Sequence, residues 1–301
     1  LGKRFRIING VFTNSRHGRR QGRDRACGGT AVVTGCVAFS PLDLPEMTYC
    51  LGIKIRDGLI GLSDGRITSG SQLSAARKVT IMGSGSHRFF IMNSGLRSVR
   101  DKTLAYLRRD MTKRPTESFS SMLDAVGAFT TCLRQVAAED KEALEASKLH
   151  FNLHAIIGGR LSDDREPTMF LVYPEGNWIE VDERTPYLSI GATAYGKPIL
   201  DRALRYDTSM QTALKLAYLS FDSTRFSSAD VGFPIDMVTM TNGDGNWRQT
   251  QYDYDDLVDQ RQWWNRNLTD LAQRMPDGPW IDKLMPAAQP TLAVVGGEDR
   301  E

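Results

Sequence analysis

The chain has 301 residues, of which 41% are hydrophobic and 25% are charged, and its formal net charge is +2. This composition is typical of a soluble globular protein. No stretch reaches the uninterrupted apolar length of a membrane span, and the small net charge gives no indication of nucleic acid binding, so we expect neither a membrane nor a nucleic acid partner.

Residues 1–46 hold the basic excess of the chain, with eight Lys or Arg against three Asp or Glu. The segment has no steady hydrophobic period, so we expect it to be disordered or loosely packed. It could be a targeting or interaction leader, a propeptide, or an over-extended start. We favour the last, with Met47 as the true first residue, because an aminopeptidase could remove Met47 ahead of the small Thr48.

From Thr48 onward the chain alternates in the manner of short strands. Asp57-Gly58 is a strong two-residue hairpin signal. Three polar residues stand at the ends of elements: Thr48 before the first strand, Asp64 after the second and Lys78 before the third. An antiparallel sheet can bring such ends together. We predict these strands at residues 49–56, 59–62 and 79–82.

Beyond residue 83 the hydrophobic period changes repeatedly between that of strands and that of helices. Gly95 opens the first helix directly after a strand, and residues 242–245 form a hairpin turn. We expect a surface-bound or extended tail at 276–301. The predicted helices cover 95–113, 119–147, 197–205, 209–224 and 253–275, and the predicted strands 88–92, 150–157, 169–173, 178–181, 187–190 and 234–240.

This order of elements predicts one domain over residues 47–275. Segregated groups of strands and helices favour two sheets that pack together and are covered by helices, an α+β fold. We find no internal repeat and no second core.

The cysteines and histidines show no metal-ligand spacing. His150 and His154 are four residues apart, but the segment around them alternates like a strand. We therefore expect no metal or organic cofactor, no disulfide framework, and a reducing, cytoplasmic environment. The four cysteines are Cys27, Cys36, Cys50 and Cys132.

Thr48, Asp64 and Lys78 are a plausible catalytic set. A threonine hydroxyl is a weak nucleophile unless a base removes its proton, and an N-terminal threonine carries such a base in its own α-amine. A lysine ammonium nearby would favour the alkoxide, and an aspartate would hold that lysine in place. A structural ion pair between Asp64 and Lys78 is the alternative, and it is compatible with the catalytic role.

These residues also resemble a known family. Thr48, a hairpin, Asp64-Gly65-Arg66 and Lys78-Val79 are similar to the start of proteasome β-type subunits, which are N-terminal-nucleophile threonine hydrolases. Residues 47–50, 190–204 and 221–237 resemble the Anbu branch of this family in bacteria. The resemblance covers residues 47–275. It implies a four-layer αββα sandwich of two antiparallel sheets, with helices 95–113 and 119–147 on one side and 197–205 and 209–224 on the other.

The resemblance also assigns roles. It implies that Thr48 is the nucleophile, that Asp64 and Lys78 support it, and that the Gly95 N–H receives the oxyanion. Arg66 matches a position that we interpret as structural.

Two departures concern auxiliary groups. Where the family has a serine this chain has Ala192, with Thr193 next. In the loop after the fourth helix it has Ser228 and Val231 at the positions of an Asp and a Ser, or Asp230 if the loop shifts by one. Thr193, Ser228 and Asp230 are therefore the auxiliary candidates, and we expect weak hydrolysis.

We interpret the chain as a threonine-type peptide or amide hydrolase that works through an acyl-enzyme. The family resemblance implies a homo-oligomeric ring or open spiral, and Trp263-Trp264 is a candidate contact. Its substrate would be a peptide or protein, and the sequence identifies no ATPase partner. The alternative is a non-catalytic assembly subunit that keeps the fold.

Overall fold

The computed structural model describes residues 48–69, 72–75, 77–85, 87–113, 119–242 and 245–285. These residues belong to one compact unit. The predictions for residues 1–46, and for the last part of the tail after residue 285, lie outside the described residues.

The described residues form twelve strands and six α-helices, with one 3₁₀ turn at Asp255–Leu257. The strands are β1 (Tyr49–Ile55), β2 (Gly58–Asp64), β3 (Arg66–Ser69), β4 (Gln72–Ala75), β5 (Val79–Met82), β6 (Phe89–Gly95), β7 (Leu153–Gly159), β8 (Thr168–Val172), β9 (Trp178–Glu180), β10 (Tyr187–Gly191), β11 (Ile235–Thr241) and β12 (Trp247–Tyr252). The helices are α1 (Arg97–Thr112), α2 (Met122–Ala146), α3 (Lys197–Ala203), α4 (Met210–Ser227), α5 (Val258–Gln273) and α6 (Pro279–Leu284).

Two five-stranded antiparallel sheets form the core of this unit. The first has the order β10-β1-β2-β11-β12, the second β5-β6-β7-β8-β9, and β3 pairs with β4 as a separate hairpin. The hairpin at Asp57-Gly58 is confirmed. Gly58 has a φ of 143°, and a Cβ there would lie 1.9 Å from the Met240 carbonyl oxygen, so only glycine fits this turn.

Apolar side chains separate the structure into four layers. One cluster, which includes Phe90, Met92 and Ile156, lies between the sheets. A second joins α1 and α2 to the β5–β9 sheet, and a third joins α3 and α4 to the sheet that contains β1. This is the αββα order that the family resemblance implies. Every residue of β1 and β2 is buried, because these strands are covered on both faces.

Side-chain caps define the starts of two helices. Ser121 and Asp124 form a capping box at α2, and the Ser209 hydroxyl accepts from the Thr212 N–H at α4. These caps explain why α2 begins three residues later than predicted. No helix among the described residues has the length and apolar character needed to cross a membrane.

The sequence did not predict the hairpin of β3 and β4, strand β12 or helix α6. Residues 253–275 were predicted as one helix, but α5 begins at Val258 after the 3₁₀ turn. The strand predicted at 150–157 begins at Leu153, so His150 precedes it. The β12 residues are mostly exposed, and an edge strand of this kind has little apolar alternation to reveal it.

Candidate active site

The side chains of Thr48, Asp64 and Lys78 meet at one oxygen atom. The Thr48 hydroxyl donates to Oδ1 of Asp64 at 2.8 Å, and Nζ of Lys78 donates to the same oxygen at 2.7 Å. The backbone N–H of Tyr49 donates there as well, at 2.8 Å. Because β1 pairs with β2, Thr48 lies next to Asp64 at the end of β2. Lys78 is the residue directly before β5. The structure thus brings the three predicted residues together.

This cluster is almost closed to solvent. The exposed fraction is 5% for Thr48, 0% for Asp64 and 6% for Lys78. Burial raises the pKa of the Asp64 carboxyl above its ordinary value. The Lys78 ammonium lowers it in return, as do the hydrogen bonds from Tyr49 and Thr48. The charge of Asp64 therefore depends on the ammonium of Lys78.

The backbone of Thr48 is held by the edge strand β10. The Ala192 N–H donates to the Thr48 carbonyl oxygen at 2.8 Å. Gly191 has a φ of 86°, and a Cβ there would lie 2.0 Å from that same oxygen. Gly191 is therefore a site residue that our sequence reading did not single out. The sequence feature that could have indicated this role is the glycine itself, directly before Ala192. A glycine allows the close backbone contact with Thr48 that a side chain would prevent.

Tyr49 connects the start of β1 to the helical layer. Its hydroxyl lies 2.6 Å from Oγ of Ser220 in α4, and burial raises its pKa. Gly196 leaves room for this contact, since a Cβ there would lie 2.4 Å from the Ser220 Oγ. The sequence offered no signal for this pair, whose members are 171 residues apart.

Cys50 is two residues from the candidate nucleophile, but its surroundings disfavour the reactive thiolate. Its thiol is completely buried, and Sγ donates to the Asn93 carbonyl oxygen at 3.8 Å. Burial raises the pKa of this thiol to about 12, so it stays protonated at neutral pH. The side-chain amide of Asn93 is also buried, and among the described residues neither its nitrogen nor its oxygen has a hydrogen-bond partner.

Gly95 lies at the end of β6 and does not begin the helix. It pairs with Leu153 in the ladder, and α1 begins at Arg97. Its φ is 126°, and a Cβ would lie 2.2 Å from the Asn152 carbonyl oxygen, so the position requires glycine. The prediction that Gly95 opens the helix is therefore wrong by two residues, because the ladder continues through Gly95. Its role as an oxyanion donor stays a prediction.

The loop after α4 is fastened beside the Asp64 turn. Nη1 of Arg66 donates to the Ala229 carbonyl oxygen at 2.6 Å, and the Gly65 N–H donates to the Pro234 carbonyl oxygen at the same distance. A Cβ on Gly232 would lie 2.6 Å from the Arg66 guanidinium. Arg66 therefore holds the loop that carries two of the auxiliary candidates.

The auxiliary candidates are less well placed than the central three. Within the described part of the chain, no side-chain hydrogen bond joins Thr193, Ser228 or Asp230 to Thr48. Thr193 follows Ala192 directly and uses its N–H to bond the Gly191 carbonyl oxygen at 2.7 Å. Ser228 is the C-cap residue of α4, and Asp230 is half-buried. Their roles stay predictions.

His150 and His154 have separate surroundings. His154 packs its ring edge-on against Tyr173, while His150 is exposed outside the strand. In the ranges that the structure describes, no group of three His, Cys, Asp or Glu side chains is arranged to hold a metal ion.

Comparison with a protein-family model gives a match over residues 47–240, to the family described as proteasome subunit. This range starts one residue before Thr48 and ends within β11. Among curated proteins, the proteasome subunit beta 1 of Pyrobaculum arsenaticum is 22% identical over 200 residues, which cover 66% of this chain and 92% of that protein.

Solved structures give closer likenesses. The helical assembly of the Anbu complex from Pseudomonas aeruginosa matches with a TM-score of 0.71 and 29% identity, covering 77% of this chain and 98% of that one. Anbu (ancestral beta-subunit) from Yersinia bercovieri matches with a TM-score of 0.68 and 27% identity, over 77% and 98% of the two chains.

Proposed function

This chain belongs to the proteasome subunit family, and on that premise we propose that it is a threonine-type peptide or amide hydrolase with Thr48 as its nucleophile. One observation carries the proposal: the Thr48 hydroxyl and the Lys78 ammonium both donate to Oδ1 of Asp64. A hydroxyl beside a buried, oriented cation is the arrangement that favours an alkoxide.

In the proposed reaction, Oγ1 of Thr48 attacks the carbonyl carbon of an amide bond. The hydroxyl proton passes to the α-amine of Thr48 and then to the leaving nitrogen, so the C–N bond breaks and an ester forms. Water then hydrolyses the ester, which releases a carboxylic acid and restores Thr48. Lys78 favours the ionised hydroxyl, Asp64 orients Lys78, and the Gly95 N–H receives the oxyanion. No cofactor enters this scheme.

The mechanism requires a free α-amine on Thr48, so the residues before it must be absent from the active form. We propose that 1–46 is a basic leader or over-extended start, that 47–275 is the hydrolase domain, and that 276–301 is a tail. The ordinary pKa of an α-amine, about 7.7–8.0, suits proton transfer near neutral pH.

The second candidate function is a non-catalytic assembly subunit. Ala192 and the loop at 228–231 favour it, because the side chains there do not reach Thr48 by hydrogen bonds among the described residues. The intact set of Thr48, Asp64 and Lys78 favours the hydrolase.

We also propose that the chain self-associates. The related Anbu complex from Pseudomonas aeruginosa forms a helical assembly. Helix α5 offers a surface for such contacts, since Arg261 is its one buried residue and Trp263, Leu268 and Leu271 are 58%, 50% and 54% exposed. Large apolar side chains exposed along one helix are typical of an interaction surface.

The test is covalent labelling of a chain that begins at Thr48. A peptide epoxyketone reacts with both the hydroxyl and the free amine of an N-terminal threonine, so intact-mass and peptide mass spectrometry should locate one adduct on Thr48. A matched chain that retains Met47 should not react. If the folded chain with a free Thr48 amine shows neither an adduct nor amide cleavage between pH 5 and pH 9, the assembly-subunit function replaces the hydrolase.

A further inference from the structure

Asp236 is a buried carboxylate that the proposed reaction does not use. It lies in β11, within the first sheet, and its exposed fraction is 0%. It stands directly opposite Ser63, the residue before Asp64, so the two acids occupy neighbouring ladder positions. A buried carboxylate is costly unless polar or charged groups compensate it. Strand alternation points the Asp236 and Asp64 side chains to opposite faces of the sheet, so any link between them runs through the chain that contacts both acids.

Two side chains of the described residues approach Asp236, and both do so at Oδ1. Nε2 of Gln251 donates to it at 3.2 Å, and Nε of Arg77 lies 3.7 Å from it. Among the residues that the structure describes, Oδ2 of Asp236 has no hydrogen-bond partner. Burial raises the pKa of the Asp236 carboxyl. The charge of Arg77 and the hydrogen bond from Gln251 both lower it, and Arg77 has the larger effect. Arg77 is thus the cation on which the Asp236 charge depends.

Arg77 is directly bonded to Lys78, and neither residue belongs to a strand, because β5 begins at Val79. The ladder of β5 and β6 begins one residue after Lys78. Two ion pairs hold this short connection: Lys78 pairs with Asp64 at the end of β2, and Arg77 pairs with Asp236 in the neighbouring β11. The side chains of successive residues are held by acids on adjacent strands.

We propose that Asp236 is a positioning residue for Lys78. By holding Arg77, it fixes the connection at residues 77–78 against β2 and β11, so that Nζ of Lys78 stays on Oδ1 of Asp64 beside the Thr48 hydroxyl. The inference deepens the proposed hydrolase function and rests on it for its catalytic consequence. The restraint on Lys78 itself is measurable without any hydrolysis.

The experiment compares Asp236→Asn, Arg77→Gln and Arg77→Lys with the matched control Asp222→Asn. Asp222 is also a buried acid paired with an arginine, with Nη2 of Arg225 2.6 Å from its Oδ1, but it lies in α4. Two rates are measured for each variant. One is acetylation of Lys78 by acetic anhydride in the full chain, followed by peptide mass spectrometry; the other is epoxyketone labelling of Thr48 in the chain that begins there.

We expect Asp236→Asn and Arg77→Gln to accelerate acetylation of Lys78 and to slow labelling of Thr48, each by about tenfold, because a small displacement of a supporting group is costly in rate. The double variant Asp236→Asn/Arg77→Gln should change both rates no more than either single substitution does, since each single substitution removes the same ion pair. Arg77→Lys should have rates between those of Arg77→Gln and the unmutated protein, because lysine keeps the positive charge. Asp222→Asn should lower the melting temperature and leave both rates unchanged.

The outcomes separate the two proposals. Unchanged acetylation of Lys78 in Asp236→Asn and Arg77→Gln would overturn the positioning role, whatever the labelling shows. Absence of labelling in the unmutated protein, with accelerated acetylation in both variants, would support the positioning role and count against the hydrolase. The Arg77 side chain is 63% exposed, so Arg77→Gln should fold even if Asp236→Asn does not.

Discussion

Lys78 and Thr48 donate to the same oxygen atom, Oδ1 of Asp64, at 2.7 Å and 2.8 Å. The acid therefore holds the cation and the hydroxyl at once, in a place that solvent scarcely reaches. Removing one member of a buried ion pair leaves the other uncompensated, which costs about 3–5 kcal/mol. Stability and reactivity are therefore coupled in this cluster, and each variant needs a measure of folding beside its measure of reaction.

Lys78→Met should lower the rate of epoxyketone labelling at Thr48 by about a hundredfold or more, because the charge that favours the alkoxide is lost. Lys54→Met is the matched control. Lys54 is also a buried lysine paired with an acid, with Nζ 3.3 Å from Oε1 of Glu166. It should label at the rate of the unmutated protein. Equal losses in the two variants would mean that Lys78 acts only through stability.

Thr48→Ala should abolish the adduct, and Thr48→Ser should retain part of it, because serine keeps a hydroxyl and an amine. Peptide mass spectrometry locates the adduct. The control concerns Cys50, whose thiol has a pKa raised to about 12. Iodoacetamide at pH 8 should leave Cys50 unmodified in the folded protein and modify it after denaturation. An epoxyketone adduct on Cys50 in the folded protein would contradict this assignment.

Labelling should fall as the pH drops through the raised pKa of the Asp64 carboxyl. Above that pKa the carboxylate holds Lys78; below it, the protonated acid has no charge to do so. The nearby Tyr49 and Cys50 also have raised pKa values and stay neutral over this range.

The matched variant for this pH dependence is Asp64→Asn, since its amide does not titrate. It should label slowly at every pH and show only the step due to the Thr48 amine. A rate profile from pH 4 to pH 9 measures both steps. If the labelling rate of Asp64→Asn still shows the step at low pH, that step belongs to another group.

Gly191→Ala should destabilise the fold by at least about 2 kcal/mol, since it adds left-handed strain and a contact of 2.0 Å with the Thr48 carbonyl oxygen. Gly127→Ala is the control. Gly127 lies within α2, and nothing lies within 4 Å of a Cβ placed there, so this change should stabilise by about 0.5–1 kcal/mol. Denaturant unfolding measures both, and a neutral Gly191→Ala would show that β10 does not hold Thr48.

Leu271→Glu should weaken self-association, because it places a charge on the apolar surface of α5. Leu149→Glu is the control, since Leu149 is similarly exposed, at 43% against 54%, but lies after α2. Sedimentation velocity at micromolar concentration should show a large species for the unmutated chain and for Leu149→Glu, and a smaller one for Leu271→Glu. A monomeric unmutated chain would refute the assembly itself.

The sequence by itself determined the local elements and the identity of the central groups. Asp57-Gly58 encodes a turn that is visible in two residues, since its backbone requirement is local. Helical periods predicted four of the helices to within a few residues because burial repeats along each one. The family resemblance, more than the spacing, singled out Thr48, Asp64 and Lys78. It also implied the four-layer order.

Only the tertiary structure decided which distant groups surround that set. Gly191 reaches Thr48 through strand register, and Ser220 reaches Tyr49 through helix packing. Arg77 reaches Asp236 from the connection before β5. No local sequence pattern encodes these contacts. The apolar stripe of α5 was visible in the sequence, but its exposure was not. A period shows that side chains share a face, whereas burial depends on what packs against that face.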